Sequence, residues 1–155
     1  MKKYKYLFAV LMVALLALAA SSAYAAPPRN FRAHLMGGNE VPPVETLAQG
    51  QAVFQLSKDG RELSYKLIVA NIDDVFAAHI HSGGPGVNGG VIVTLYGGGL
   101  IEGRFSGVLA QGVITESSLG EAAFADLIAQ IMSGNTYVNV HTLANPGGEV
   151  RGQIH

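Results

Sequence analysis

Between Gln51 and Ala70 the chain alternates. Ala52, Phe54 and Leu56 fall on one side of "QAVFQLS", and Leu63, Tyr65, Leu67 and Val69 on one side of "ELSYKLIVA". A period of two sends successive side chains to opposite faces of a strand. Lys58-Asp59-Gly60 between the two runs is a tight-turn signal, so the pattern predicts an antiparallel hairpin. Further strands are predicted at Phe31–Met36, "VFAAHIH", "VIVTLY", Phe105–Ile114, "TYVNVHT" and "EVRGQIH". The breaks fall at "GGNEVPPVETLAQG", where Pro42 and Pro43 forbid regular pairing, at a connection over Asn71–Asp74, at Gly97–Gly99 and at "LANPGG". One segment has the helical period: Leu119, Phe124, Leu127, Ile128 and Ile131 recur at helical intervals. Ser118 to Glu121 has capping-box spacing and Gly134-Asn135 is a stop, so a short helix is expected between about Ser118 and Ser133. Roughly seven or eight strands with one short helix predict an all-β fold, an antiparallel β-barrel or sandwich. With no internal repeat and no linker, one domain is the simple reading.

The first residues break the alternation. Lys2, Lys3 and Lys5 precede an unbroken apolar run of 14 residues, Leu7–Ala20, and then Ala23-Tyr24-Ala25 supplies a small-x-small site. That order is the pattern of a secretory signal peptide over residues 1–25, cleaved after Ala25. A membrane-spanning helix needs roughly 20 apolar residues, and no later segment reaches that length. The mature chain is therefore expected to be soluble and secreted or periplasmic. Without Lys2, Lys3 and Lys5, ten basic residues fall to seven against eleven acidic, a net charge of −4. A mildly acidic domain argues against nucleic acid as a partner. There is no cysteine, which excludes thiolate chemistry, zinc sites of the Cys type, blue-copper sites and iron–sulfur clusters. Any metal must be held by imidazole, carboxylate, amide or backbone oxygen.

The candidate chemistry lies in "AAHIHSGGPGVNGG". His79 and His81 stand at i and i+2 on a strand, on one face, with Cα atoms about 6.5–7 Å apart. Two imidazoles at that spacing can converge on one ion with bonds of about 2.0–2.1 Å. Ile80 faces the other way, toward a core, and the glycines that follow leave the outer side open. In "YVNVHT" the residues Tyr137, Asn139 and His141 share a polar face opposite Val138 and Val140. His34 also lies near a strand end before a glycine pair. A structural role weighs equally with ligation for the His79/His81 pair and outweighs it for His34. Glu40 and Glu149 sit in glycine-rich turns, as ligands, as partners holding an imidazole tautomer, or, by greater weight, as solvated carboxylates. "GGPGVNGG" has neither lysine nor a following helix, so a phosphate loop is excluded.

"HLMGGNEVPPV", "AAHIHSGGPGVNGGVIVTLY" and "YVNVHTLANPGGEVRGQI" together resemble the CHRD domain, the module repeated in chordin. The resemblance spans Asn30 to Ile154. It implies an immunoglobulin-like β-barrel distantly similar to Cu/Zn superoxide dismutase. His79, His81 and His141 then correspond to three of that enzyme's four copper ligands. The departures are as clear. No histidine lies between Gly90 and Tyr137 to bridge copper and zinc, the zinc ligands and the disulfide are missing, and Arg151 is not assigned to the active-site arginine. On this resemblance His34 is the expected fourth ligand. The leading expectation is an exported CHRD-domain protein binding copper, with zinc as the alternative, through His79, His81, His141 and His34. A metal-free extracellular binding or scaffold module follows closely. A copper-dependent superoxide dismutase comes third.

Overall fold

The predicted hairpin is present, and it belongs to a longer strand than the alternation suggests. In the computed structural model, which describes residues 28–155, the strands are β1 (Asn30–Met36), β2 (Gln49–Leu56), β3 (Glu62–Ser82), β4 (Val91–Tyr96), β5 (Ile101–Thr115), β6 (Thr136–Thr142) and β7 (Val150–Gln153). Two helices, α1 (Glu116–Leu119) and α2 (Glu121–Met132), stand between β5 and β6. The segment read as a signal peptide lies outside the described residues.

All the pairings are antiparallel. Strand order runs β2-β1-β7-β6-β3, and β2 also pairs with β3, so five strands close into a ring. β3 makes this closure. Its first half pairs with β2 and its last part with β6, while β5 and then β4 pair along its other edge. The turn over Asn71–Asp74, expected to separate two strands, is a bulged stretch within β3. Asn71 and Asp74 take positive φ of 55° and 52°, and the register to β5 slips on both sides of Ile72. Such bulges bend a strand without ending it, and this one lets β3 serve both ends of the barrel.

The inward positions of the strands form the core. Leu35, Leu63, Leu67, Ile72, Ile80, Val138, Val140 and Val150 are all at 0% exposure, each apolar side chain worth about 1.5–3 kcal/mol on burial. α2 covers this core with Phe124, Leu127 and Ile131. The helix differs from expectation at its start. The capping box is Thr115 with Ser118, whose backbone N–H donates to Thr115 Oγ1 at 3.1 Å. Gly120, at φ 92°, then breaks the path, so that a single turn precedes α2. β7 closes on β1 through Gly152, where a side chain would strike the His34 carbonyl. Among the described residues no helix is long and apolar enough to cross a membrane.

Candidate metal centre

The outward face of β3, β6 and β7 is not a solvent face. Every residue of β6 is buried, because three loops fold over the strands there. The register aligns His79 with Asn139 and Asn139 with Arg151, and in the next row His81 with Tyr137 and Tyr137 with Gln153. His141 pairs with Ala77 one row away. The alternation that sends Ile80, Val138 and Val140 inward thus places three histidines together on the far side.

Their ligand atoms all lie within 4.8 Å of one another. His79 Nδ1 and His141 Nε2 are 2.9 Å apart. His141 Nδ1 donates to the Pro146 carbonyl at 2.9 Å, and His81 Nδ1 to the Gly89 carbonyl at 2.9 Å. A carbonyl only accepts, so these contacts fix both tautomers with the proton on Nδ1 and a lone pair on Nε2. His141 Nε2 then accepts a hydrogen bond from His79 Nδ1–H. His81 Nε2 is buried and has no partner, a state that costs about 1–3 kcal/mol for an ordinary buried polar group. Burial, with the neighbouring His141 and His81, lowers the His79 pKa to about 4. Burial also lowers that of His141. Both rings are therefore neutral at physiological pH, as ligands must be.

These residues fit a metal ion. His81 and His141 present an Nε2 lone pair, and His79 would present Nδ1 in the tautomer that carries its proton on Nε2. An ion held at about 2.0–2.1 Å by each nitrogen would need only small adjustments of ligand atoms that already lie within 4.8 Å of one another.

The structure does not bring His34 into this group. Its side chain is exposed on β1, opposite Gln51 of β2. In the strand order β7 and β6 stand between β1 and β3, too far for an imidazole on an outward position to reach across. The expectation that Glu40 and Glu149 are solvated is also overturned, since both are buried. Glu149 accepts from the hydroxyls of Thr46 and Thr142 at 2.7 and 2.6 Å. Glu40 keeps Oε1 without a partner, and burial raises its pKa to about 7 against the pull of Arg151. The glycine loop does not leave the outer side of His81 open. It folds back on the ring, with the backbone N–H of Gly89 donating to the Tyr137 hydroxyl at 3.3 Å.

Residues singled out on no chemical ground complete the surroundings. Tyr137 stacks on His81, with centroids 5.0 Å apart and planes 7° from parallel. The Arg151 guanidinium lies 3.4 Å from the centre of the opposite Tyr137 face. Arg151 also donates to Asn88 Oδ1 and to the carbonyls of Gly84 and Val87. The alternation of Glu149, just before β7, with Arg151 and Gln153 on it was the available sign that they share a face.

A closed antiparallel barrel carrying a cluster of three imidazoles, two of them buried, is the class of protein that fold and site define. Within that class the chain belongs to the CHRD domain family, whose profile matches residues 31–154. It is similar to chordin of Xenopus laevis, 30% identical over 118 residues, which cover 74% of this chain and 12% of that protein. The chain thus spans a small fraction of the length of that relative. No solved structure matches it.

Proposed function

We propose that this protein is an exported copper-binding CHRD module, with His79, His81 and His141 as the ligands. The observation that carries the reading is the pair of imidazole nitrogens, His81 Nε2 and His141 Nε2, whose lone pairs are set by backbone carbonyls bonding the opposite ring nitrogens, in a cluster whose ligand atoms lie within 4.8 Å of one another. An all-imidazole donor set suits copper or zinc, and copper leads the divalent affinities. Export rests on the basic, apolar and Ala-x-Ala segments in sequence over residues 1–25. A metal-free scaffold is the second reading, favoured by the 2.9 Å contact between His79 and His141, which braces two strands with no ion present.

The test is metal content of the exported protein, followed by copper titration of the parent and of His79→Ala, His81→Ala and His141→Ala. Each loss is expected to weaken binding at least tenfold, about 1.4 kcal/mol, while circular dichroism keeps its β form. His34→Ala is expected to bind as the parent does. Parent-like binding by all three cluster variants returns the histidines to a bracing role.

A further inference from the structure

Arg151 is 1% exposed, yet it makes no ion pair. Among the described residues the ion pairs are Arg61 with Glu116 and Arg104 with Asp73. Its hydrogen-bond partners are two carbonyls and an amide oxygen, all neutral. Buried charges are ordinarily paired, because removal from water is costly and a neutral cradle repays it only in part. Methionine or leucine would fill the same space more cheaply. The charge therefore asks for a use, and its position suggests one. The guanidinium covers one face of Tyr137 at 3.4 Å, and the other face of Tyr137 lies flat on His81. The cation stands one ring behind a candidate ligand.

We propose that Arg151, acting through the Tyr137 ring, is a positioning and specificity-determining residue that biases the three-histidine centre toward singly charged copper over doubly charged copper. The inference rests on the metal-binding reading of the cluster. The ligand set is neutral, so nothing bound to the ion offsets its charge. A fixed positive charge about 10 Å away, at an effective dielectric of about 20, disfavours each added unit of charge by roughly tenfold. For a one-electron couple that ratio corresponds to about 60 mV. The carboxyls on the same face leave the bias in place. Glu40, beside Arg151, is held partly neutral by burial, and Glu149, bonded to Thr46 and Thr142, is a constant background to any change of charge at position 151.

The same stack orients the ligand. Tyr137 confines the His81 plane on one side, while the Gly89 carbonyl accepts a hydrogen bond from its Nδ1. Arg151 in turn ties the loop that carries Gly89 through Gly84, Val87 and Asn88. Orientation alone would alter the affinities for both ions together. A charge effect alters their ratio, and that ratio separates the two roles.

The experiment measures cuprous affinity in competition with bicinchoninate and cupric affinity in competition with nitrilotriacetate, on the whole purified protein. Arg151→Met keeps the bulk and removes the charge, and should lower the cuprous-to-cupric ratio about tenfold. Arg151→Lys keeps the charge and should hold the ratio near the parent's. Asn88→Asp guards against a fold failure in the buried variants. Asn88 is exposed and its Oδ1 accepts from Arg151 at 3.0 Å, so an aspartate there sets a negative charge directly against Arg151, at the loss of the bond from Asn88 Nδ2 to the Val41 carbonyl. It should shift the ratio in the same direction as Arg151→Met. An unchanged ratio in Asn88→Asp, or an equal weakening of both ions in Arg151→Met, overturns the role of Arg151 and leaves the metal site standing. A parent that binds neither ion overturns the metal site, and this inference with it.

Discussion

Gly89→Ala is expected to destabilise the fold by about 2–4 kcal/mol and to weaken copper binding at least tenfold, although Gly89 is not a ligand. A β-carbon at this position would collide with the backbone carbonyl of Ser82, and its nearest further contacts are the Ser82 carbonyl carbon at 2.7 Å and Oγ at 2.8 Å. Ser82 is the last residue of β3, and its N–H donates to the Gly90 carbonyl at 3.0 Å. The strand end cannot retreat, because it pairs with β6 at Thr136. The loop must move instead, and Gly89 carries the two bonds that organise His81. Its carbonyl accepts from His81 Nδ1 and its N–H donates to Tyr137 Oη. Loss of the first frees the His81 tautomer, so that Nε2 no longer holds its lone pair toward the cluster. Thermal denaturation and copper titration on one preparation read both effects. A midpoint and an affinity equal to the parent's would show that the loop gives way at no cost and does not organise the ligand.

The strands and the His-x-His face were legible because they rest on local alternation. Ala52, Phe54 and Leu56 on β2, or Val138 and Val140 on β6, declare their side whatever surrounds them. What the alternation cannot carry is the partner of the second face. Asn139 and His141 read as polar and hence outward, which is correct, but outward on β6 means beneath three loops. The loops owe their course to contacts distant in sequence, such as Gln153 Nε2 donating to the carbonyls of Gly83 and Gly134 at 2.8 and 2.7 Å. Burial of Glu40 and Glu149 was hidden for the same reason, since turn composition says nothing of what lies under the turn. The unbroken course of β3 escaped notice because Asn71 and Asp74 are turn formers, and only the pairing of both flanks shows a bend. His34 was placed with the cluster by analogy to a four-ligand site. Its position on β1, with β7 and β6 intervening, is a matter of strand order, which no single strand's pattern contains.

Glu40→Gln is expected to stabilise the protein at pH 8 by about 1–2 kcal/mol and to leave it unchanged near pH 4. Glu40 is 6% exposed, and both its Oε1 and the Asn139 Oδ1 are buried without a partner. Both side chains border Gly148, where a β-carbon would strike Glu40 Oε1 and stand 2.7 Å from Asn139 Nδ2. Burial disfavours the charged form and outweighs Arg151, so the pKa rises from 4.5 to about 7. A raised carboxyl pKa means that between those values the folded chain holds a proton the unfolded chain has lost. Stability then falls as pH rises through this window, and by pH 8 the whole cost is present. A shift of that size would amount to more than 3 kcal/mol at full effect, and solvent screening reduces the realised value to about 1–2 kcal/mol. Glutamine removes the charge at every pH. His79 acts in the opposite direction: its pKa, lowered from 6.5 to about 4, takes stability away as pH falls through that interval. The parent's own profile is therefore flattened, and the difference between parent and Glu40→Gln isolates the carboxyl. Urea denaturation of both proteins at pH 4 and pH 8 measures it. A variant less stable than the parent at pH 8 would show instead that the Glu40 carboxylate is charged in the fold and held by Arg151.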